Sequence, residues 1–235
     1  MDLPIFYAPD LEDNYVLSDD ESSHCLRVLR LGVGDELMVT DGRGHFFHCR
    51  ITSTVGKRCR VEVVERTDWV KPWRNYIHIA IAPTKNFDRM EWLIEKIAEI
   101  GFDELTFLDC RFSERHVVKM ERVERILVSA IKQSQKAFVP RMNEMTPFPD
   151  FISREHLGRK FIAHCNDGDK IYLPTALSPS EDVTIMIGPE GDFSQDEVAM
   201  ALKAGFEPVS LGNSRLRTET AALVACVAAN LPNQG

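Results

Sequence analysis

Val183-Thr184-Ile185-Met186-Ile187 runs directly into Gly188-Pro189-Glu190-Gly191-Asp192-Phe193-Ser194-Gln195-Asp196-Glu197, and this stretch decides the fold. Five apolar or β-branched residues in a row are the composition of a strand covered on both faces, as in parallel sheets. The run stops at a glycine-bearing bend. A helix then starts, because Ser194 and Glu197 have the spacing of a capping box. Strand, bend and helix in that order form half of a βαβ unit, and parallel α/β sheets take ligands at the carboxyl ends of their strands.

Working outward, the same rhythm recurs. Pro208–Leu211 reads as a strand, leading through Gly212-Asn213-Ser214-Arg215-Leu216-Arg217-Thr218 into a helix over Glu219–Asn230. Phe161–Cys165 is another buried-strand run. Upstream, a strand at Tyr76–Ala82 precedes a helix whose Phe87, Met90, Leu93, Ile94, Ile97 and Ile100 follow three-four spacing, with Asn86 to cap it and Gly101 to end it. Leu105–Leu108 and a helix over about Met120–Ala137 follow. Residues 75–235 therefore read as one α/β domain with a mainly parallel sheet.

The first part differs. His45–Ser53 sets Phe47, Cys49 and Ile51 on one face, and Arg58–Glu65 does so with Cys59, Val61 and Val63, the period-2 pattern of half-covered strands. Asp41-Gly42-Arg43-Gly44 supplies a turn. Short strands with close turns predict a small β-barrel over residues 1–70, and Thr67–Arg74, with Pro72, reads as a linker.

The 235 residues carry a net charge of −8, with 44% hydrophobic and 27% charged types, as ordinary globular chains do. No apolar run approaches the roughly 20 residues of a membrane span. The start, Met1-Asp2-Leu3-Pro4, does not resemble a signal peptide, so a cytoplasmic protein without membrane contact is expected. Six cysteines lie at spacings unlike a zinc or redox motif, and His45, His48 and Cys49 read as a hairpin rim, so no metal is expected. Charge is uneven: residues 1–22 hold seven acids and no base, residues 24–66 are net +3, 71–144 net +2, and the rest from Thr146 net −5. The two basic regions weaken the objection that an acidic chain raises to nucleic-acid binding.

Familiar motifs are absent. There is no G-x-G-x-x-G after a strand, no P-loop and no G-x-S-x-G elbow. Glu190 and Glu219 as a glycosidase pair give way to the commoner use of such residues at helix ends. On the second helix, Arg122, Arg125, Ser129, Lys132, Gln133 and Lys136 share one stripe opposite Val123, Leu127, Ala130 and Ile131. Such a stripe is either a solvated face or a set of phosphate contacts.

Gly188-Pro189-Glu190-Gly191-Asp192-Phe193-Ser194, with Leu211-Gly212 and Leu216-Arg217-Thr218-Glu219-Thr220-Ala221, resembles the signature of SPOUT methyltransferases. More narrowly the chain resembles the bacterial ribosomal RNA small-subunit methyltransferase E family, which makes N3-methyluridine in 16S rRNA. Asp88-Arg89-Met90-Glu91-Trp92, Lys96 and Glu99 match its first catalytic helix; Gln133-Ser134 before Pro140 matches the second. His24–Arg30, Gly34-Asp35 and Asp41–Gly44 resemble its PUA-like domain. Lys132 and Lys136 stand where that pattern usually has an acid and an arginine.

The resemblance implies a PUA-like β-barrel, a SPOUT domain with a deep trefoil knot, S-adenosylmethionine as cofactor, 16S rRNA or the small ribosomal subunit as partner, and a homodimer. It places the cofactor against His164, Cys165 and Asn166, against Gly188, Pro189, Glu190 and Gly191, and against Leu211, Gly212, Leu216 and Arg217. Uridine N3 attacks well only after losing its proton. Arg217 is the candidate to stabilise charge on the uracil oxygens, and Glu219 or Glu190 the candidate proton acceptor, unless those carboxylates serve helix termini instead. Arg27, Arg30, Lys57, Arg58, Arg122, Arg125 and Lys132 are the candidate phosphate contacts. Two other readings remain: a non-catalytic rRNA-binding assembly protein, and a knotted RNA methyltransferase with another target atom.

Overall fold

The computed structural model describes residues 3–233. Met1 and Asp2, part of the start read above as unlike a signal peptide, lie outside the described residues, as do Gln234 and Gly235 at the end of the expected α/β domain. The chain forms two compact units, one reaching to Pro72 and taking in Val128–Val139, the other made of Trp73–Leu127 and the chain from Pro140 onward.

In the first unit, β1 (Ile5–Tyr7) leads through the short helices α1 (Leu11–Asn14) and α2 (Asp19–Ser23) to β2 (Glu36–Thr40), β3 (His45–Ser53) and β4 (Arg60–Asp68). They form one sheet in the order β1-β2-β3-β4, with β1 parallel to β2 and the other pairs antiparallel. Phe47, Cys49 and Ile51 of β3 are buried, with Cys59 and Val61 beside them. The outer edge of β4 is occupied too: Val61 N–H donates to Tyr15 O and Leu17 N–H to Cys59 O, both at 2.9 Å. The expected rim histidines each take a separate carboxylate, His45 that of Asp41 at 2.6 Å and His48 that of Glu36 at 3.0 Å, while Cys49 points into the core.

In the second unit, β5 (Ile77–Ile81), α3 (Phe87–Ile100), β6 (Glu104–Asp109), α4 (Met120–Gln133), β7 (Arg141–Pro147), α5 (Phe148–Ile152), β8 (Arg159–Ala163), β9 (Ile171–Tyr172), α6 (Leu173–Ala176), β10 (Val183–Ile187), α7 (Gln195–Lys203), β11 (Glu207–Ser210) and α8 (Thr218–Asn230) follow in turn, α4 running on into the first unit. Seven strands pair in the order β7-β6-β5-β10-β8-β11-β9, every pair parallel. Strand alternation divides the core. Ala80, Ala82, Ile162 and Met186 join Phe148 and Phe151 of α5 and Ala201 of α7 on one face. Ile77, Ile79 and Ile81 take the other, against which α8 lies beside α3. Gly101 ends α3 at φ +122°, and a Cβ there would lie 2.3 Å from the Trp73 ring. Only glycine fits both the backbone and the ring.

Departures from the expected elements have local causes. Helix α4 stops at Gln133 because Gln135 turns left-handed at φ 53°, with Lys136 N–H reaching back to Ile131 O at 3.0 Å. This Schellman geometry usually carries glycine or asparagine. Strand β8 starts two residues early, at Arg159, whose guanidinium grips Glu207 of neighbouring β11 at 2.8 and 3.0 Å. Strand β7 is polar and sits at the sheet edge.

His78, 6% exposed, lies under α5 with Nε2 2.8 Å from Thr106 Oγ1 and its ring edge-on to Phe151. Burial pushes its pKa down to about 4, so it is neutral in the fold, whereas the unfolded chain protonates it near 6.5. The unfolded state thus binds the extra proton, and stability declines as pH falls from about 6.5 toward 4. Denaturant titrations should show this loss, of order 2–3 kcal/mol, and His78→Phe should flatten the slope over that window; an unaltered slope would remove His78 as its source.

Candidate active site

Strands β8, β10 and β11 deliver their carboxyl ends side by side, and two adjoining cavities of about 320 and 400 Å³ open there. They share Ala163, Cys165, Arg215, Leu216 and Ala221. The bend after β10 bounds the first, with Gly188, Pro189, Glu190 and Arg217 in its wall. The chain after β11 bounds the second, with Leu211 and Gly212, while His164 lines it from the β8 side.

Nine of the eleven residues expected around a cofactor meet in this joined space. Asn166 and Gly191 instead line a neighbouring hollow. Gly188 serves the turn itself, because a Cβ there would press on the buried Phe193 ring at 3.1 Å. Sequence reading passed over Asp192, which ties two walls together. Its backbone is left-handed at φ 66°, and its carboxylate accepts from Phe193 N–H and Cys165 N–H, each at 2.8 Å. The strand–bend–helix signal located the bend; nothing in it marked the aspartate as the link to a loop 27 residues away.

The walls are apolar in the middle, at Ala163, Ile187, Leu216 and Ala221, and polar at the bends. That suits a ligand with a flat heterocycle and polar ends. His164 is held below the ordinary histidine range, first by burial and then by Lys170, so its ring stays neutral. Its buried Nδ1 has no partner among the described residues. A ligand donor or acceptor would satisfy it.

Of the three candidate reacting side chains, Arg217 shares one space with Glu190 and another with Glu219. Arg217 is exposed and borders both the first cavity and a cleft made with Asp88, Arg89, Trp92, Glu219 and Thr220. Glu219 lies in that cleft, 6% exposed, with Arg89 Nε 3.9 Å from Oε1 and its buried Oε2 unpartnered among the described residues. Glu190 is exposed and accepts the Lys85 N–H at 3.0 Å. Arg89 thus borders both spaces, which its helical position in the sequence did not reveal.

The candidate phosphate contacts divide in two. Arg27, Arg30, Lys57 and Arg58 are exposed on the first unit, Arg58 near Asp19 at 3.4 Å. On α4, Arg122 is held by Glu91 and by Asp88 at 3.7 Å, Lys132 by Glu21 at 2.5 Å, and Arg125 bonds its own helix, at Glu121 O. Among the described residues no His, Cys, Asp and Glu side chains cluster as a metal site, and no helix is long and apolar enough to cross a membrane.

Comparison with known proteins places this geometry. A family described as RNA methyltransferase domain matches residues 71–230, and one described as RNA methyltransferase PUA domain matches residues 17–64. A probable rRNA-methyltransferase from Porphyromonas gingivalis superposes with a TM-score of 0.90, at 51% identity and 95% coverage of both chains. A ribosomal RNA small subunit methyltransferase E from Neisseria gonorrhoeae, bound to S-adenosyl methionine, gives 0.81 at 27% identity and 96% coverage of both. The protein of that name from Buchnera aphidicola is 28% identical over 226 residues, 93% of this chain and 88% of its own. The family match over residues 71–230, with likeness in sequence and fold across nearly the whole length, shows that this chain belongs to the RNA methyltransferase family of the ribosomal RNA small subunit methyltransferase E proteins.

Proposed function

We propose that the protein methylates N3 of a specific uridine in 16S rRNA, free or in the small ribosomal subunit, in the cytoplasm and with S-adenosylmethionine as donor. The observation that carries this is the joined cavity at the ends of β8, β10 and β11, with Arg217 at its border. When bound, the cofactor supplies an electrophilic methyl group on a sulfonium. Ala163, Ile187, Leu216 and Ala221 fit its adenine, and the bends at Gly188–Glu190 and Leu211–Gly212 offer backbone groups to its polar ends.

Arg217 offsets negative charge growing on a uracil oxygen as N3 loses its proton. Glu219 is the better placed proton acceptor of the two carboxylates, because one of its buried oxygens is unpartnered among the described residues, whereas Glu190 already holds the Lys85 N–H. Arg89 orients Glu219.

The finer architecture fits the same reading. The proposed division is a barrel domain over 1–70 and a catalytic domain over 75–235. Tyr15–Leu17 on the β4 edge supports barrel closure. The passage from β11, past β8, to α8 lying on β5 and β10 supports a trefoil knot. Helix α8 is apolar around its circumference yet exposes Val227, next to exposed Leu231, which supports a homodimer.

Purified protein should bind S-adenosylmethionine and transfer labelled methyl to 16S rRNA from cells lacking the gene, with N3-methyluridine as the nucleoside recovered. A methylated ribose or other base would replace the target atom, and no transfer would leave an RNA-binding protein. Arg217→Ala should lower the rate by about 10²-fold or more with the fold intact. An unchanged rate would exclude Arg217 from the reaction.

The exposed cations Arg27, Arg30, Lys57, Arg58 and Arg125 are proposed to contact phosphates, with Arg122 and Lys132 contributing once released from their carboxylates. Replacing one contacting cation by alanine should reduce the salt slope of RNA binding by about one unit. Unchanged slopes for all seven would make these ordinary solvated charges.

A further inference from the structure

Beside the cofactor cavity lies a separate hollow of about 350 Å³, walled by Arg111, Phe112, Asn166 and the bend from Gly191 to Asp196. Asp192 lines both spaces, so the two share a wall. Phe112 is 47% exposed, unusual for a phenylalanine in a chain whose other core rings are buried. It is not on a loose loop. Cys110 N–H donates to Ser113 Oγ, Ser113 N–H donates back to Cys110 O, and Arg111 N–H donates to Glu197 at 2.8 Å. Gly191 lies against the same ring, for a Cβ there would sit 3.0 Å from Phe112 Cβ. The Arg111 guanidinium is 5.8 Å from the ring centroid.

We propose that this hollow receives an unpaired base of the RNA next to the target uridine, with Phe112 as its stacking platform. The inference rests on the methyltransferase reading above. An exposed aromatic ring flanked by a guanidinium is the surface on which unpaired bases stack. Charge favours a neutral ring over a phosphate: Asp192 and Asp196 border the hollow, and Arg111 already faces Asp196 at 3.4 Å. Among the described residues the Asn166 side chain makes one long bond, from Nδ2 to Phe193 O at 3.4 Å, and its second amide hydrogen is available to a base oxygen. A base on Phe112 would thus sit beside the cofactor cavity, with Asp192 in the wall that the two spaces share. An enzyme that modifies a base edge must draw that base out of its stack, and a platform for the neighbouring base helps to hold the strand open.

The test compares wild-type protein with Phe112→Ala, Phe112→Leu and Phe112→Trp, using unmodified small ribosomal subunits as the RNA. Phe112→Ala and Phe112→Leu should each lower kcat/KM for RNA about ten-fold or more, the scale of one lost stacking contact. Phe112→Trp should restore it, and S-adenosylmethionine affinity by calorimetry should stay unchanged in all three. Wild-type kcat/KM in Phe112→Ala, rescue by leucine as good as by tryptophan, or loss of cofactor affinity would each overturn the proposal; the last would make Phe112 a prop for the Gly191 bend. Absence of cofactor binding and methyl transfer in the wild-type protein is a different result, and it would bring down the methyltransferase reading itself.

Discussion

Everything at the candidate site depends on the placement of β8 between β10 and β11 in an all-parallel sheet. Parallel pairing puts the carboxyl ends of neighbouring strands at one rim, and the chain leaving each must find hydrogen-bond partners there. Three exits therefore crowd together: the His164–Lys170 loop, the Gly188–Ser194 bend and the Leu211–Arg217 segment. Asp192 satisfies part of that demand by accepting two N–H groups, one from its own bend and one from the loop after β8. His164 Nδ1 and Glu219 Oε2, which stay unsatisfied among the described residues, belong to side chains that line the spaces where a ligand and a substrate are proposed to sit.

The sequence was most informative where one local rule determines the outcome. Ser194 and Glu197 form both halves of the capping box, Asn86 accepts the Asp88 N–H at the start of α3, and Gly101 ends that helix. Buried strands announced themselves by composition, so β5 and β10 were legible almost to the residue. Elements held by distant partners were not. Strand β8 begins at a charged pair, Arg159 and Lys160, because Arg159 is matched by Glu207 on the adjoining strand. The end of α4 rests on a left-handed glutamine that carries no compositional mark.

The site divides along the same line. Backbone-defined walls at 188–190 and 211–217 followed from the bends and the family resemblance. Side chains set by tertiary approach, among them Asp192, Arg89 and Phe112, were missed because their partners lie far away in sequence. The basic stripe on α4 shows the converse case. On a helical wheel Arg122 and Lys132 look available, yet each is matched by a glutamate from another element, at Glu91 and Glu21. Proximity of opposite charges is a three-dimensional property, and periodicity in one chain segment cannot register it.

The two margins of the seven-stranded sheet differ from its interior. At one side β9 is only Ile171–Tyr172, followed by Leu173-Pro174; at the other β7 carries Arg141 and Glu144 and finishes on Pro147. Brevity, charge and proline are the devices that stop a stranger's backbone from docking. The rim of this sheet is thus a poor template for amyloid-type growth, even though its central strands are nearly pure hydrocarbon. Such protection matters for an RNA methyltransferase, which must stay dispersed beside a polyanion.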